Sequence, residues 1–314
     1  MRVVYFGTPV FAAKTLDYLL SKGVNIVGVV TQPDRPKGRS GTPTPCPVKE
    51  SVLKQSLDIP ISQPAKASDP EAAALIQALD ADLFVVVAFG EIIRQNLLDM
   101  PKIACINVHG SVLPKYRGAA PIQRCIMEGE LESGITIMHM AKKMDAGDMI
   151  KVVKTPVGEN MTYGELEENL CTLGSEALYE VICAFEKGDV ERQPQDHDSA
   201  TYAKKIETSD CELIWDRKAQ ELHNLVRGVT PRPGAWCQIK VRGKQKRLKI
   251  RKTLLNEDSG SQAGEILNFG SEGLVVACGE KSLNILELQL EGKKAMEAAE
   301  FVRGFSVQDL SFIF

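Results

Sequence analysis

The chain has 314 residues, 44% of them hydrophobic and 25% charged. That excludes the disordered class and exceeds what one core usually organises, so two unequal domains are expected. The formal net charge of −3 hides an asymmetry: residues 204–314 hold 18 Lys+Arg against 15 Asp+Glu, leaving 20 against 26 for residues 1–203, so the C-terminal part carries the cationic surface. No stretch approaches the roughly 18 apolar residues of a membrane span. The N-terminus, Met1-Arg2-Val3-Val4-Tyr5-Phe6, runs into a strand pattern and not into a signal peptide. A soluble, cytoplasmic protein with no membrane partner is expected, acting as a monomer. The eight cysteines, at 46, 105, 125, 171, 183, 211, 237 and 278, form no C-x-x-C and no zinc-spaced cluster with histidine, so reduced thiols and no metal are expected.

In chain order, the first half alternates β-branched runs with amphipathic helical stretches. Val3–Phe6, Ile26–Val30, Leu83–Val87 and Ala104–Val108 read as strands, and Phe11–Leu20, Val48–Gln55 and Pro70–Leu79 as helices. Near-continuous apolar strands imply a parallel sheet covered on both faces, a Rossmann-like α/β domain. After Gly134 come two extended segments, Ile135–Met140 and Met149–Val157, and a long helix from about Thr162 to Glu186. Residues 187–208 are polar and aperiodic. A helix at Ala219–Val226 then precedes short alternating strands such as Trp236–Val241, which suit a small antiparallel, OB-like β-barrel. The expected division is residues 1–189, a linker at 190–208, and residues 209–314.

Three segments carry chemistry. Gly7-Thr8-Pro9 follows a strand and opens a helix, but lacks the three-glycine dinucleotide fingerprint and reads as a structural turn. Residues 31–47 hold five prolines and two glycines, which rules out helix or central strand and leaves a long exposed loop bearing Arg35, Lys37 and Arg39. Third, Asn107 and His109 lie two apart at the end of an apolar strand, so both side chains emerge on one side, at the carboxyl end where open parallel sheets bind ligands. Asn is a neutral donor suited to a developing oxyanion, and His moves protons near neutrality. Asp145, in a Met-Asp-Ala-Gly-Asp turn, is placed to bring a carboxylate to the imidazole. His139, on a strand with Ile135 and Ile137 on its own face, reads as structural. His197 and His223 lack a polar constellation and read likewise. Further along, eight cations and no acid lie between Lys240 and Lys252, and the alternation of Lys240, Arg242, Lys244 and Lys246 predicts one basic face if they lie in strands.

The runs FGTPVFAAKTLDYLL, TQPDRPKGR, VVVAFGEII, INVHGSVLPKYRGAAPIQ, SGITIMHM and MDAGDM, followed by TYAKKI, Pro-x-Pro-Gly-Ala-Trp and GKKAM, resemble the methionyl-tRNA formyltransferases over essentially the whole chain. Asn-x-His-x-Ser-x-Leu-Pro and the later Asp are shared with the wider 10-formyltetrahydrofolate-using formyltransferase family. The resemblance implies transfer of a formyl group from 10-formyltetrahydrofolate to the amino group of methionyl-initiator tRNA, with Asn107, His109 and Asp145 catalytic and tetrahydrofolate released. It also implies a folate-contacting segment at Ser111, Val112, Leu113 and Pro114, and a loop at residues 32–47, with Arg39 its principal arginine, that probes the tRNA acceptor end. Arg35 and Lys37, and Arg242, Lys244, Lys246 and Arg247 in the C-terminal part, are the further tRNA candidates. The chain departs from the family at Val112, where Leu is usual, at Ser40-Gly41-Thr42, where lysines are common, and at Arg232, where Trp is common.

Three competing readings remain: a nucleotide-sugar or purine-precursor acceptor for the same chemistry, an RNA-binding module on a dead scaffold, and a nicotinamide-dependent oxidoreductase. The basic C-terminal part argues against the first, the intact Asn107, His109 and Asp145 against the second, and the missing glycine fingerprint against the third.

Overall fold

The computed structural model describes residues 1–36, 41–55, 58–271 and 273–313. The chain divides into two units: Met1–Gly118, Ser133–Thr155 and Glu167–Tyr202 form the first, and Ala119–Glu132, Pro156–Leu166 and Ala203–Phe314 the second.

In the first unit, strands Val3–Gly7, Ile26–Val30, Leu83–Val87 and Ala104–His109 form where the β-branched runs predicted them, and helices Val10–Ser21, Pro47–Lys54 and Pro70–Gln77 lie between them. Among the described residues the sheet order is Met149–Pro156, Glu132–His139, Ala104–His109, Leu83–Val87, Val3–Gly7, Ile26–Val30, Ile61–Ser62. Pairing is parallel from Ala104–His109 to Ile61–Ser62, whereas Glu132–His139 runs antiparallel to Ala104–His109. The strands Val3–Gly7 and Leu83–Val87 are buried throughout, which is why they show no polar alternation. Phe6 meets Phe84 at a ring separation of 5.0 Å and Phe89 at 5.5 Å. Burying each such side chain contributes about 1.5–3 kcal/mol.

Gly7-Thr8-Pro9 is the structural turn expected. A Cβ on Gly7 would sit 2.7 Å from the Ala12 Cβ, so only glycine lets the first helix approach the sheet. The Thr8 hydroxyl donates to the Phe89 carbonyl at 2.8 Å, tying together the ends of two adjacent strands.

In the second unit, helix Ala219–Gly228 presents buried Ala219, Leu222, Leu225 and Val226 to a core containing Trp215, Ile239, Leu248, Ile285 and Phe301. The sheet is antiparallel along the path Ile266–Gly270, Gly273–Ala277, Ser282–Leu290, Lys244–Asn256, Ala235–Val241, Leu310–Ile313. Its two end strands do not pair with each other among the described residues, so the small antiparallel barrel that the sequence pattern predicts takes the form of a curled half-barrel. Register shifts near Lys252 increase the bend. The long helix Tyr163–Lys187 is capped by Thr162, whose N–H and hydroxyl both donate to Glu165 Oε2 at 2.8 Å. No helix among the described residues is long and apolar enough to cross a membrane.

His223, expected to lack a polar constellation, has two polar partners that hold it as a packing residue. Its Nε2–H donates to the Glu159 carbonyl at 3.3 Å and its Nδ1 accepts from the Thr253 hydroxyl at 2.9 Å, so the neutral ring is satisfied on both sides. Burial lowers its pKa from the ordinary 6.5, the Glu159 hydrogen bond opposing in part and the Arg227 charge adding to the fall. The folded state therefore binds fewer protons than the unfolded chain just below that value. This contribution to stability is present above about pH 6.5 and lost as pH falls through the folded pKa. Thermal unfolding followed from pH 7.5 to 5 is expected to show a falling midpoint, with a shallower fall in His223→Gln than in the wild type.

Candidate active site

All the residues of this site lie in the first unit. The strand Ala104–His109 sits between one parallel and one antiparallel neighbour, with Asn107 opposite Val86 and Met138, and His109 opposite Thr136. This central position fixes the carboxyl end of the strand, and the two-residue spacing puts both side chains on one face, as the sequence predicts. Asn107 is half-buried, and no hydrogen bond engages its amide among the described residues. A half-buried amide with unused donors is suited to a ligand.

His109 is 5% exposed. One ring nitrogen, Nε2, lies 2.9 Å from the Tyr116 carbonyl oxygen, which can only accept, so Nε2 carries hydrogen. That leaves Nδ1 as the nitrogen whose lone pair is not committed to Tyr116. Asp145 Oδ2 lies 3.7 Å from it. The same Oδ2 accepts the backbone N–H of Gly118 at 2.8 Å, which holds the carboxylate in place without consuming its charge. The structure thus brings Asp145 to His109, 36 residues away in sequence. Backbone strain surrounds the pair: Tyr116 has φ 60° and Asp145 φ 49°, both left-handed. A bulky Tyr there is uncommon, and this turn is what aims the Tyr116 carbonyl at the imidazole.

The segment Ser111–Pro114 follows directly. Thr136, fully buried on the neighbouring strand, donates its hydroxyl to the Ser111 carbonyl at 2.7 Å and accepts the Leu113 N–H at 3.1 Å. Ser111 Oγ donates to the Lys115 carbonyl at 2.6 Å, and Leu113 packs on Met138 and Met149. Ser111 and Leu113 are therefore turned inward, while Val112 and Pro114 keep part of their surface exposed.

Of the loop residues expected at the tRNA end, Lys37 and Arg39 lie outside the described residues. Arg35 is exposed on a short strand pairing with Pro43–Thr44, and donates to Gln32 Oε1 at 3.2 Å. The base of the loop is fixed by a polar cluster the sequence did not reveal. Lys49 Nζ donates to Asp34 Oδ2 at 2.7 Å and to Gln63 Oε1 at 2.6 Å, and Gln63 Nε2 donates to Asp34 Oδ1 at 2.7 Å. Those hydrogen bonds, Gln63 first and then Lys49, hold Asp34 below the usual carboxylate range.

Residues 190–208, read as linker, hold what the sequence missed. Gln193 exchanges two backbone hydrogen bonds with Met149, both at 2.8 Å. Thr201 accepts the Tyr116 N–H on its hydroxyl at 2.8 Å and the Arg117 N–H on its carbonyl at 2.8 Å. Gln195 is 6% exposed. His197 is not without polar company, because its Nδ1 lies 2.9 Å from Arg117 Nη2. No sequence signal marked these partners, since the stretch is aperiodic. His139 does have the structural setting expected, edge-to-face with Phe185, and burial lowers its pKa, with Arg192 adding to the fall.

In the second unit, the basic hairpin corrects one expectation. Lys240 lies on strand Ala235–Val241 and Lys244 and Lys246 on Lys244–Asn256, with a two-residue turn at Arg242 (φ 49°) and Gly243 (φ 77°) between them. The register pairs Val241 with Lys244, Ile239 with Lys246, and Lys240 with Gln245. Lys244 and Lys246 therefore share the face of Val241 and Ile239, and Lys240 shares the opposite face with Gln238 and its partner Arg247. The turn reverses the chain and breaks the alternation, so the four cations do not form one face. Arg247 stacks over the Trp236 ring at 4.1 Å, and Arg242 lies 5.4 Å over Phe305 and 3.5 Å from Asp309. A groove of about 520 Å³ runs past Gln238, Lys246, Arg247 and Lys249.

Among the described residues no group of three or more His, Cys, Asp or Glu is arranged to hold a metal ion. What the site offers is a free amide, an imidazole with one committed nitrogen, and a carboxylate facing the other. That set can stabilise an oxyanion and relay a proton, as acyl transfer to an amine requires.

The profile of the Formyl transferase family matches residues 1–182, and that of the Formyl transferase C-terminal domain matches residues 205–306. The chain is 54% identical over 313 residues to the methionyl-tRNA formyltransferase of Protochlamydia amoebophila, covering 100% of this chain and 98% of the relative. It is 43% identical over 317 residues to that of Chlamydia caviae, covering 100% and 98%. Among solved structures it superposes on WlaRD, a sugar 3N-formyl transferase, with TM-score 0.68 at 18% identity, covering 94% of this chain and 99% of that one. It also superposes on HypX from Aquifex aeolicus in complex with tetrahydrofolic acid, with TM-score 0.64 at 17% identity, covering 96% and 47%. These last two likenesses concern the fold. With both profiles together spanning most of its length and full-length relatives above 40% identity, the chain belongs to the formyl transferase family.

Proposed function

We propose that the chain transfers the formyl group of 10-formyltetrahydrofolate to the amino group of methionyl-initiator tRNA, giving N-formylmethionyl-tRNA for translation initiation. The observation that carries this reading is the full-length 54% identity to a methionyl-tRNA formyltransferase, in a chain that keeps a free Asn107 amide and a His109–Asp145 pair at its central strand end. Its acceptor is made in the cytoplasm, where the enzyme then acts. Catalysis falls to the unit of Met1–Gly118, Ser133–Thr155 and Glu167–Tyr202, which takes in most of the stretch expected as a linker at 190–208, and residues 209–314 serve in tRNA binding.

The folate donor supplies an activated formyl carbon, and every other requirement falls to the chain. Asn107 donates N–H to the oxygen on which negative charge develops. His109, with Nε2–H committed to the Tyr116 carbonyl, takes the proton of the attacking amine at Nδ1 and returns it toward the departing nitrogen. Asp145, fixed by the Gly118 N–H, stabilises the imidazolium that forms. Val112 and Pro114, the exposed members of the segment after His109, provide the apolar surface for the folate. Arg35, Lys37 and Arg39 contact the acceptor end, and Arg242, Lys244, Lys246 and Arg247 serve as phosphate contacts.

The sugar-acceptor alternative is separated by salt. Each phosphate contact to single-stranded or duplex nucleic acid contributes a slope of roughly −0.7 to −0.9 in log K against log salt. The KM for charged tRNA is therefore expected to rise steeply between low and physiological salt while the KM for the folate donor changes little. A tRNA KM indifferent to salt would remove the basic residues from acceptor binding.

A further inference from the structure

Gln195 makes every hydrogen bond its amide can make. Its Oε1 accepts from Arg117 Nε at 3.1 Å and Nη2 at 2.6 Å, and its Nε2 donates to the Asp145 carbonyl at 2.9 Å and the Gly147 carbonyl at 2.7 Å. The amide cannot be turned over, because that would point its NH2 at a guanidinium and its oxygen at two carbonyls. Both acceptors belong to the turn that presents Asp145. That turn is under tension: Asp145 sits at φ 49°, and Gly147 passes so close to the neighbouring strand that a Cβ on it would lie 1.9 Å from the His139 carbonyl oxygen. A left-handed non-glycine residue costs on the order of 1–3 kcal/mol and persists only where its surroundings over-determine it.

Arg117 completes the arrangement. It is 1% exposed, meets no carboxylate within ion-pair distance among the described residues, and leaves Nη1 buried without a partner. Burying a guanidinium without a counter-ion is a poor way to stabilise a fold. Its Nε and Nη2 are spent on Gln195, and Nη2 also on His197. Its own chain continues into Gly118, whose N–H holds the Asp145 carboxylate. The turn is thus gripped at its carbonyls by Gln195 and at its side chain by Gly118, and both grips lead back to Arg117.

We propose that Gln195, locked by Arg117, is a positioning residue that sets the Asp145 turn so that Oδ2 faces His109 Nδ1. This rests on the reading of Asp145 as catalytic. Neither residue reaches the reacting atoms; each acts through Asp145, and a displacement of that carboxylate by about 1 Å suffices to lose roughly a hundredfold in rate.

The test is steady-state formylation by Gln195→Ala and Gln195→Glu, each alone and combined with Asp145→Asn, with folding checked by circular dichroism. Gln195→Glu keeps the side-chain length and gives Arg117 a carboxylate, so it preserves packing where truncation does not, yet it offers no N–H to the two carbonyls. The expected result is a kcat lowered by about tenfold to a hundredfold in both single variants, with the KM for the folate donor unchanged and no further loss once Asp145 is already Asn. Wild-type kcat in the folded single variants, or the same fold loss with and without the Asp145 carboxylate, overturns the positioning role. A wild-type rate for Asp145→Asn alone overturns the catalytic reading beneath it, whereas a slow Asp145→Asn beside fast Gln195 variants overturns this inference only.

Discussion

Asp145→Asn is expected to lower the turnover of formyl transfer by about a hundredfold to ten-thousandfold, and His109→Ala by a similar factor. The Asn side chain keeps the shape of Asp and an oxygen able to accept the Gly118 N–H, so the turn and its hydrogen bond survive. What disappears is the negative charge 3.7 Å from His109 Nδ1. With Nε2–H already committed to the Tyr116 carbonyl, the imidazolium then forms next to a neutral amide in a buried place, where an uncompensated charge is costly. The loss belongs in kcat and not in the KM for either substrate, because the carboxylate matters only once the proton has moved. His109→Ala removes the side chain proposed to carry the proton. Single-turnover rates with saturating donor and charged tRNA check both variants, and a near wild-type rate in either removes that residue from the mechanism.

Asn107→Ala is expected to cost roughly a hundredfold to a thousandfold in kcat, the usual range for removing one oxyanion donor. The substitution is clean on structural grounds. Asn107 is half-buried at the end of a central strand, and no protein hydrogen bond among the described residues is lost when the amide goes. Stability should therefore change little while the rate falls. Asn107→Asp, of the same shape, is expected to be as slow, because a carboxylate repels the developing charge that the amide attracts. Unfolding temperatures measured beside the rates separate a catalytic loss from a folding defect.

The parts of the fold that local physics dictates were legible in the sequence. The strands at Val3–Gly7 and Leu83–Val87 are buried on both faces and so are apolar at every position, and helix Tyr163–Lys187 keeps its pattern for 25 residues. Asn107 and His109 were legible as a pair because polar residues at i and i+2 closing an apolar strand have one geometric meaning. Asp145 came into view only through the turn motif around it, and the resemblance supplied the donor, the acceptor and the Ser111–Pro114 segment. Gln195 stayed hidden for a physical reason. It lies 78 residues from Arg117 and 50 from Asp145, on a stretch with no periodicity, and its role is defined wholly by tertiary hydrogen bonds. The basic hairpin failed differently. Alternation holds within a strand, but Arg242 and Gly243 form the turn, and Arg at left-handed φ is an uncommon turn residue, so the reversal left little trace.

The most direct measurement of the central claim is formyl transfer itself: labelled 10-formyltetrahydrofolate with the purified protein and, in parallel, methionyl-initiator tRNA, uncharged tRNA and a nucleotide-linked amino sugar. The predicted result is label on the charged tRNA alone, released as N-formylmethionine when the ester is hydrolysed. Label on the amino sugar in preference to the tRNA, or none on methionyl-tRNA, would contradict it.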